Sequence, residues 1–245
     1  MRNVLNTLRV LEEVAARQPI GVGELARIVA MPKSTVQRAL LTLDEAGWIR
    51  PAAGKITRWV LTTKALAVGS RAGGDLGMRG AALPIMEDLR RHTEETVHLT
   101  VPEDGRMVLI ERLETDKPVR TSMALGHSLP LHASANGKAL LAFSSPETLE
   151  QLLTAELPRY TETTITDPDA LRTELTTIRT RGFAVNHGEW RNDVGAVAAA
   201  VLNNDGHPIA NLSVNVPISR LNNDTEAAWG VAVREAARSI SARLG

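Results

Sequence analysis

Apolar residues in the first part of the chain recur every three or four positions, the helical period. Val4, Leu8, Leu11 and Val14/Ala15 line one side of a predicted helix over 2–17, with Arg9, Glu12 and Arg17 on the other side and Pro19 ending it. A short helix over 24–29 carries Leu25, Ile28 and Val29. Ala30-Met31-Pro32 then forces a turn, because a residue before proline avoids the α region. Beyond it Val36, Ala39, Leu40 and Leu43 form one apolar helical face, from which Leu41 falls off. Pro32 suits the first turn of that helix, and Ser34 with Gln37 has capping-box spacing. Thr35, Arg38 and Thr42 share another face, with Lys33, Ser34 and Gln37 near the leading end. Residues 48–50 and 59–61 then read as two strands around a turn at Gly54-Lys55.

Two short helices in this order, followed by a hairpin, make a winged helix-turn-helix whose second helix enters the major groove of DNA. Lys55 and Arg58 sit at the tip and shoulder of the wing. The plain alternative for the two helices alone is an ordinary helical corner.

Residues 62–93 connect this region to the rest. Met86, Leu89 and Leu83-Pro84-Ile85 predict a helix over about 82–92. Gly69, Gly73, Gly74, Gly77 and Gly80 crowd the stretch before it, and each glycine weakens a helix interior by roughly 1 kcal/mol. A break near Gly73-Gly74 is expected.

From Glu95 the period becomes two. Val97, Leu99 and Val101 alternate with Thr96, His98 and Thr100, a half-buried strand. Further strands are predicted over 107–113, 119–123, 183–187, 194–202 and 208–216, and helices over 134–143, 146–153, 168–181 and 224–244. Asn203-Asn204-Asp205-Gly206 is a strong hairpin turn. This mixture predicts an α+β domain on a mainly antiparallel sheet. On the strand 208–216, Asn211, Ser213 and Asn215 face one way, and that face is either solvated or the wall of a polar pocket.

Composition narrows the class. The 245 residues are 43% hydrophobic and include no cysteine, which excludes disulfides and thiolate metal sites and fits a reducing compartment. No apolar run is long enough to span a membrane and no signal-peptide pattern stands at the N-terminus, so a cytoplasmic protein with no membrane partner is expected. The net charge is zero but uneven. Residues 1–61 hold nine Lys/Arg against five Asp/Glu, and the remainder holds 19 against 23. A basic segment on an acidic body is expected to meet phosphate with its N-terminal part alone.

Catalytic patterns fail. Gly137-Lys138 resembles a phosphate loop, yet His132 and Ala139 stand where Gly and Ser/Thr are required. No Gly-x-Ser-x-Gly or Gly-x-Gly-x-x-Gly occurs, and His127 and His132 lack partners at metal spacing. No catalytic residue, metal site or cofactor is expected. His132 is read as bonding backbone to hold its loop, and Lys138 as capping or pairing locally.

Three segments carry a family likeness. The first is Leu25-Ala26-Arg27, Met31-Pro32-Lys33-Ser34-Thr35-Val36-Gln37-Arg38 and Leu43-Asp44-Glu45-Ala46-Gly47. The second is Leu129-Pro130-Leu131-His132-Ala133-Ser134-Ala135-Asn136-Gly137-Lys138-Ala139-Leu140-Leu141-Ala142, and the third Thr164-Ile165-Thr166-Asp167-Pro168 with Arg179-Thr180-Arg181-Gly182-Phe183-Ala184-Val185. In order and spacing the chain resembles IclR-type bacterial transcriptional regulators over nearly its whole length. The resemblance implies a winged helix-turn-helix over 1–62, a linker with a helix over 63–82, and a GAF-like effector-binding domain over 83–245.

It further implies a regulator, with repression the expected sign, that forms a dimer or a dimer of dimers on a DNA operator and is controlled by a small molecule. Thr35, Gln37 and Arg38 would read bases, and Lys33, Ser34, Lys55 and Arg58 would grip phosphates. The effector pocket carries over to Thr121, Leu129, Ala135, Asn136, Asn186, Val194, Ala196, Ser213 and Asn215, under a loop holding Glu189 and Trp190. Free N–H groups where the chain enters the helix at Ser134–Gly137 favour a carboxylate, so a small organic acid is the expected ligand. Family members that bind small keto acids tend to carry an acid at the place of Asn186, a cysteine at Ala196 and a small apolar residue at Asn136. Two other readings remain open at this point: a metabolite enzyme with an N-terminal assembly module, and a DNA-binding regulator with no effector.

Overall fold

The computed structural model describes residues 2–69 and 73–244, and the chain divides into two compact units, Met1–Gly73 and Gly74–Gly245. The first unit holds α1 (Arg2–Arg17), α2 (Val22–Ile28), α3 (Lys33–Glu45), the antiparallel pair β1 (Ile49–Pro51) and β2 (Trp59–Leu61), and α4 (Lys64–Gly69). Val10, Val14, Ile20, Leu25, Val36, Leu40, Ile49 and Trp59 pack into its core. Gln18 ties the hairpin to the end of α1, its Oε1 accepting from the Leu61 amide at 2.7 Å.

Two expectations fail here. The apolar stripe of α1 is only partly inside: Val10 and Val14 are buried, whereas Val4 is 63% and Leu8 48% exposed. Helical period tells which residues share a face, and the N-terminal half of that face meets no partner within the unit. The capping box is also absent. Helix α3 begins at Lys33 with Pro32 in the cap position and no side-chain cap bond. Ser34 therefore lies inside the first turn, past the point where a hydroxyl serves as a cap.

Helix α5 (Gly73–Thr93), all but its first residue in the second unit, is longer than the helix expected over 82–92. Pro84 lies inside it. The break expected near Gly73-Gly74 falls beside residues 70–72, which lie outside the described residues. Strands β3 (Thr96–Glu103), β4 (Arg106–Leu113), β5 (Ser128–Leu129), β6 (Ala184–His187), β7 (Val194–Leu202) and β8 (Pro208–Pro217) form one antiparallel sheet in the order β5-β4-β3-β8-β7-β6. Between β5 and β6 come α6 (Ala135–Phe143), α7 (Pro146–Leu153) and α8 (Pro168–Arg181), and a 3-10 turn over Ile218–Arg220 leads into α9 (Asn223–Leu244).

The sheet is covered on both faces. One face sends Val97, Leu99, Val197, Leu212, Val214 and Val216 against α5 and α9. The opposite face lies under α6 and the loop before it, where Met107, Leu129, Ala135, Ala139, Ala196 and Ala198 pack together. From Thr96 to Thr100 strand β3 is therefore buried on both sides rather than half-buried, with Thr96, His98 and Thr100 at most 1% exposed.

The strand expected over 119–123 does not form. The outer edge of β4 is already taken: the Leu109 amide bonds His127 O at 3.0 Å, the Gly126 amide bonds Leu109 O at 2.7 Å, and β5 pairs at Met107 and Val108. Residues 119–124 are left without a ladder to join and lie outside any strand.

Candidate functional site

In the first unit, α3 presents Lys33, Ser34 and Arg38 to solvent, with Thr35 and Gln37 half-buried beside them. Val36, Ala39, Leu40 and Leu43 anchor the opposite face, so the polar side is held outward by the core. Lys55 is exposed on the hairpin. Arg58 has a local attachment as well, since its Nη1 donates to Pro19 O at 2.9 Å and lies 4.0 Å from Glu24. A helix carrying exposed donors and a basic hairpin are the parts that a groove reader needs.

The second site is built on the polar face of the sheet. The stretch from Leu129 to Ala142 is buried at every residue. It is wedged in place by Gly137, where an added Cβ would stand 2.1 Å from Leu131 O, so no other residue fits without moving the backbone. Ser134 caps α6: its Oγ accepts from the Gly137 amide at 3.0 Å and donates to Pro130 O at 2.6 Å. Among the described residues the Ala135 and Asn136 amides have no acceptor, as first-turn amides do when no ligand or water reaches them.

Beneath that helix end the strands bring polar groups together. Register pairs His98 with Ser213, Thr96 with Asn215, Ala196 with Asn215 and Asn186 with Ala196, so these side chains share the face below α6. Asn136 Nδ2 donates to Ser213 Oγ at 3.1 Å, Thr100 Oγ1 donates to Asn136 Oδ1 at 3.2 Å, and Asn215 Nδ2 donates to Ser213 Oγ at 2.9 Å. Asn211 Nδ2 reaches Asn136 O at 2.7 Å. Seven of the nine expected pocket residues (Leu129, Ala135, Asn136, Asn186, Ala196, Ser213 and Asn215) are buried on this face, and Thr121 and Val194 are half-buried at its margins.

His98 was not among the expected pocket residues. Its imidazole is 1% exposed, and neither ring nitrogen has a hydrogen-bond partner among the described residues. Thr121 Oγ1 and Asn211 Oδ1 are orphaned in the same way. Burial pushes the His98 pKa from 6.5 down to about 4, with the Arg112 guanidinium on the neighbouring strand adding to the effect. Buried polar atoms without partners are rare in folded proteins, and His98 and Asn211, on one face of the sheet, mark a place shaped for something else. Arg112 itself is held by Glu114 at 3.3 Å and by Met123 O.

The loop after β6 closes the site. Asn186 spans it, its Nδ2 donating to Ala133 O at 3.1 Å and its Oδ1 accepting from the Glu189 amide at 2.8 Å. Lys138 was expected to cap or pair locally. Instead its buried Nζ meets Glu189 Oε1 at 2.5 Å, across 51 residues, with Glu174 at 3.8 Å. His132 does bond backbone, its Nε2 lying 2.9 Å from Pro158 O.

Residues 4–52 match the IclR helix-turn-helix domain, and residues 72–242 match the bacterial transcriptional regulator IclR C-terminal domain. The chain belongs to the IclR family. It is 31% identical over 244 residues to the HTH-type transcriptional regulator KdgR of Escherichia coli K12, covering 99% of this chain and 92% of that protein. It is 29% identical to the Escherichia coli transcriptional repressor IclR, covering 100% and 90%. Its fold is similar to the crystal structure of the Thermotoga maritima IclR, with a TM-score of 0.85 at 27% identity over 100% of this chain and 99% of that one. An IclR homologue of Microbacterium hydrocarbonoxydans complexed with 4-hydroxybenzoate superposes with a TM-score of 0.80 at 28% identity, covering 99% and 98%.

The IclR-family assignment makes this a DNA-binding transcriptional regulator. No described helix is long and apolar enough to cross a membrane, and the described residues hold no cluster of three metal-ligating side chains.

Proposed function

We propose that the chain represses transcription from its own operator through Thr35, Gln37 and Arg38 on bases and Lys33, Ser34, Lys55 and Arg58 on phosphates, and that a small organic acid bound beneath α6 controls it. Val4, Leu5 and Leu8 form an exposed apolar stripe on α1, which supports pairing of two copies as a homo-oligomer. It is not an enzyme in this reading, because the polar groups beneath α6 offer recognition without an activated nucleophile.

The observation that carries the effector assignment is the unpartnered His98 facing Ser213 below the free amides of α6. A carboxylate fits there, because it accepts from Ala135 N, Asn136 N and the imidazole while the helix dipole favours its charge. Asn136, Ser213 and Asn215 hold the rest of the ligand by neutral hydrogen bonds. The 4-hydroxybenzoate bound to the Microbacterium homologue is an acid of this kind. Asn186, Val194, Ala196, Leu129 and Thr121 complete the walls.

The test is a titration of the full chain with 4-hydroxybenzoate and short 2-oxo acids, each beside its amide counterpart, read by thermal shift and by operator affinity. Acids should raise the melting temperature in a saturable way and change operator affinity, amides should not, and Ser213→Ala should weaken the response. Amides that bind as well as acids, or a response indifferent to both Ser213→Ala and His98→Asn, would rule the reading out.

A further inference from the structure

A cleft of about 470 Å³ lies between the C-terminal end of α8, α9 and the β7–β8 hairpin, and it shares no residue with the polar cluster below α6. Four arginines line it: Arg179 and Arg181 from α8, Arg234 and Arg238 from α9. Among the described residues, three of their hydrogen bonds go to neutral carbonyls and four to the carboxylates of Glu174 and Glu235. Arg179 Nε donates to Ala142 O at 2.6 Å, Arg181 Nε to Phe183 O at 2.6 Å, and Arg234 Nη1 to Arg181 O at 3.1 Å. Those bonds aim the forks without cancelling their charge.

Carboxylates are fewer than cations here. Arg234 and Arg238 share the single Glu235, at 3.2 and 3.3 Å. Arg181 has Glu174 at 3.1 Å, but Glu174 also faces the buried Lys138, which in turn holds Glu189. Among the described residues Arg179 forms no ion pair. Five cations thus stand against three carboxylates, a surplus of two. The carbonyl end of α8 offsets about half a charge of that, because a helix C-terminus carries roughly −0.5. The terminal nitrogens of Arg179, Nη1 of Arg181 and Nη2 of Arg238 keep unspent donors among the described residues.

The floor suits an organic ligand. Phe143 and Leu202 give apolar surface, and Ser241 Oγ accepts from the Leu202 amide at 2.9 Å, which leaves its hydroxyl hydrogen free to donate. Gly182 at φ +84° makes the geometry possible, since a Cβ there would stand 2.6 Å from Arg234 Cδ and push that side chain out of the cleft.

From this arrangement we infer that the cleft is a second small-molecule site, one that takes a dianionic metabolite of the phosphate-ester type. Guanidinium forks match phosphate oxygens two at a time, a dianion cancels the surplus charge, and the volume is that of a small-ligand pocket. The site stands apart from the organic-acid pocket and does not depend on that assignment.

Calorimetric titration of the full chain with inorganic pyrophosphate tests it, beside sodium chloride at matched ionic strength. Wild type should bind pyrophosphate saturably, one per chain. Arg179→Gln and Arg238→Gln should each weaken binding by ~10-fold, the loss of one charge-assisted contact. Arg238 is 69% exposed and bonds no backbone, so its variant keeps the fold, and an unchanged melting temperature without ligand checks this. Ser213→Ala should leave pyrophosphate affinity unchanged. A non-saturable response, or one equal in wild type and both variants, overturns the inference. So does variant-sensitive binding of a poly-glutamate peptide without any of pyrophosphate, which would make the cleft a protein-docking surface.

Discussion

Replacing Lys138 by methionine removes one partner of a buried ion pair and keeps the side chain's length. Lys138 is 1% exposed, and its partner Glu189 is 6% exposed and has Oε2 already without a bond. Lys138→Met therefore leaves a carboxylate buried and unpaired, a change that costs about 3–5 kcal/mol. At roughly 2–4 °C per kcal/mol for a unit of this size, the melting temperature of the C-terminal unit should fall by roughly 6–20 °C. Glu174 does not share the penalty, because Arg181 still holds it at 3.1 Å. The double variant Lys138→Met with Glu189→Leu leaves no isolated charge and should recover most of the loss. Calorimetric unfolding of the wild type, both single variants and the double variant closes the cycle. A fall of under about 1 kcal/mol in Lys138→Met, or a double variant as unstable as the single ones, would show that the pair does not hold α6 to the β6–β7 loop.

Other outcomes follow from the same residues. His98 has its pKa lowered from 6.5 to about 4, so it stays neutral in the fold while the unfolded chain takes up a proton as pH falls below 6.5. Its contribution is complete above that value and is lost toward pH 4; between pH 7.5 and 5 it amounts to roughly 2 kcal/mol. Denaturant unfolding across that range should show a shallower pH dependence in His98→Gln, and equal slopes would refute the assignment. In the first unit, Arg38→Ala should relax sequence preference, while Lys55→Ala should weaken binding to all duplexes alike and reduce the salt slope by about one. Unchanged operator binding by Arg38→Ala in a gel-shift titration would show that the register assigned to α3 is wrong.

What could be read from the chain alone divides by distance in sequence. The helix-turn-helix was legible because its signals are local: Leu25, Val36, Leu40 and Leu43 at helical spacing, and a turn forced before Pro32. Strands β6, β7 and β8 were legible from alternation and from the hairpin turn at 203–206. The failures arise where a partner decides the outcome. Val4 and Leu8 have the period of a core face with nothing in the unit to cover them. Residues 119–123 alternate like a strand, but the edge they would join is occupied. The alternation put His98 on the polar side of its strand; that Ser213 lies opposite depends on register across 115 residues, which no local pattern records. Lys138 with Glu189, and the four arginines from α8 and α9, are likewise products of the folded arrangement.

The unbroken burial of Leu129 through Ala142, with the Asn186 and Glu189 bonds across the opening, bears on timing. If the proposed organic-acid site lies behind that stretch, a metabolite waits for the chain to part, so its arrival rate should level off at high concentration rather than climb without limit. The same gate governs departure. A promoter under such a sensor would keep responding for a while after its signal has been consumed, a short molecular memory written into how tightly one helix entrance is sealed.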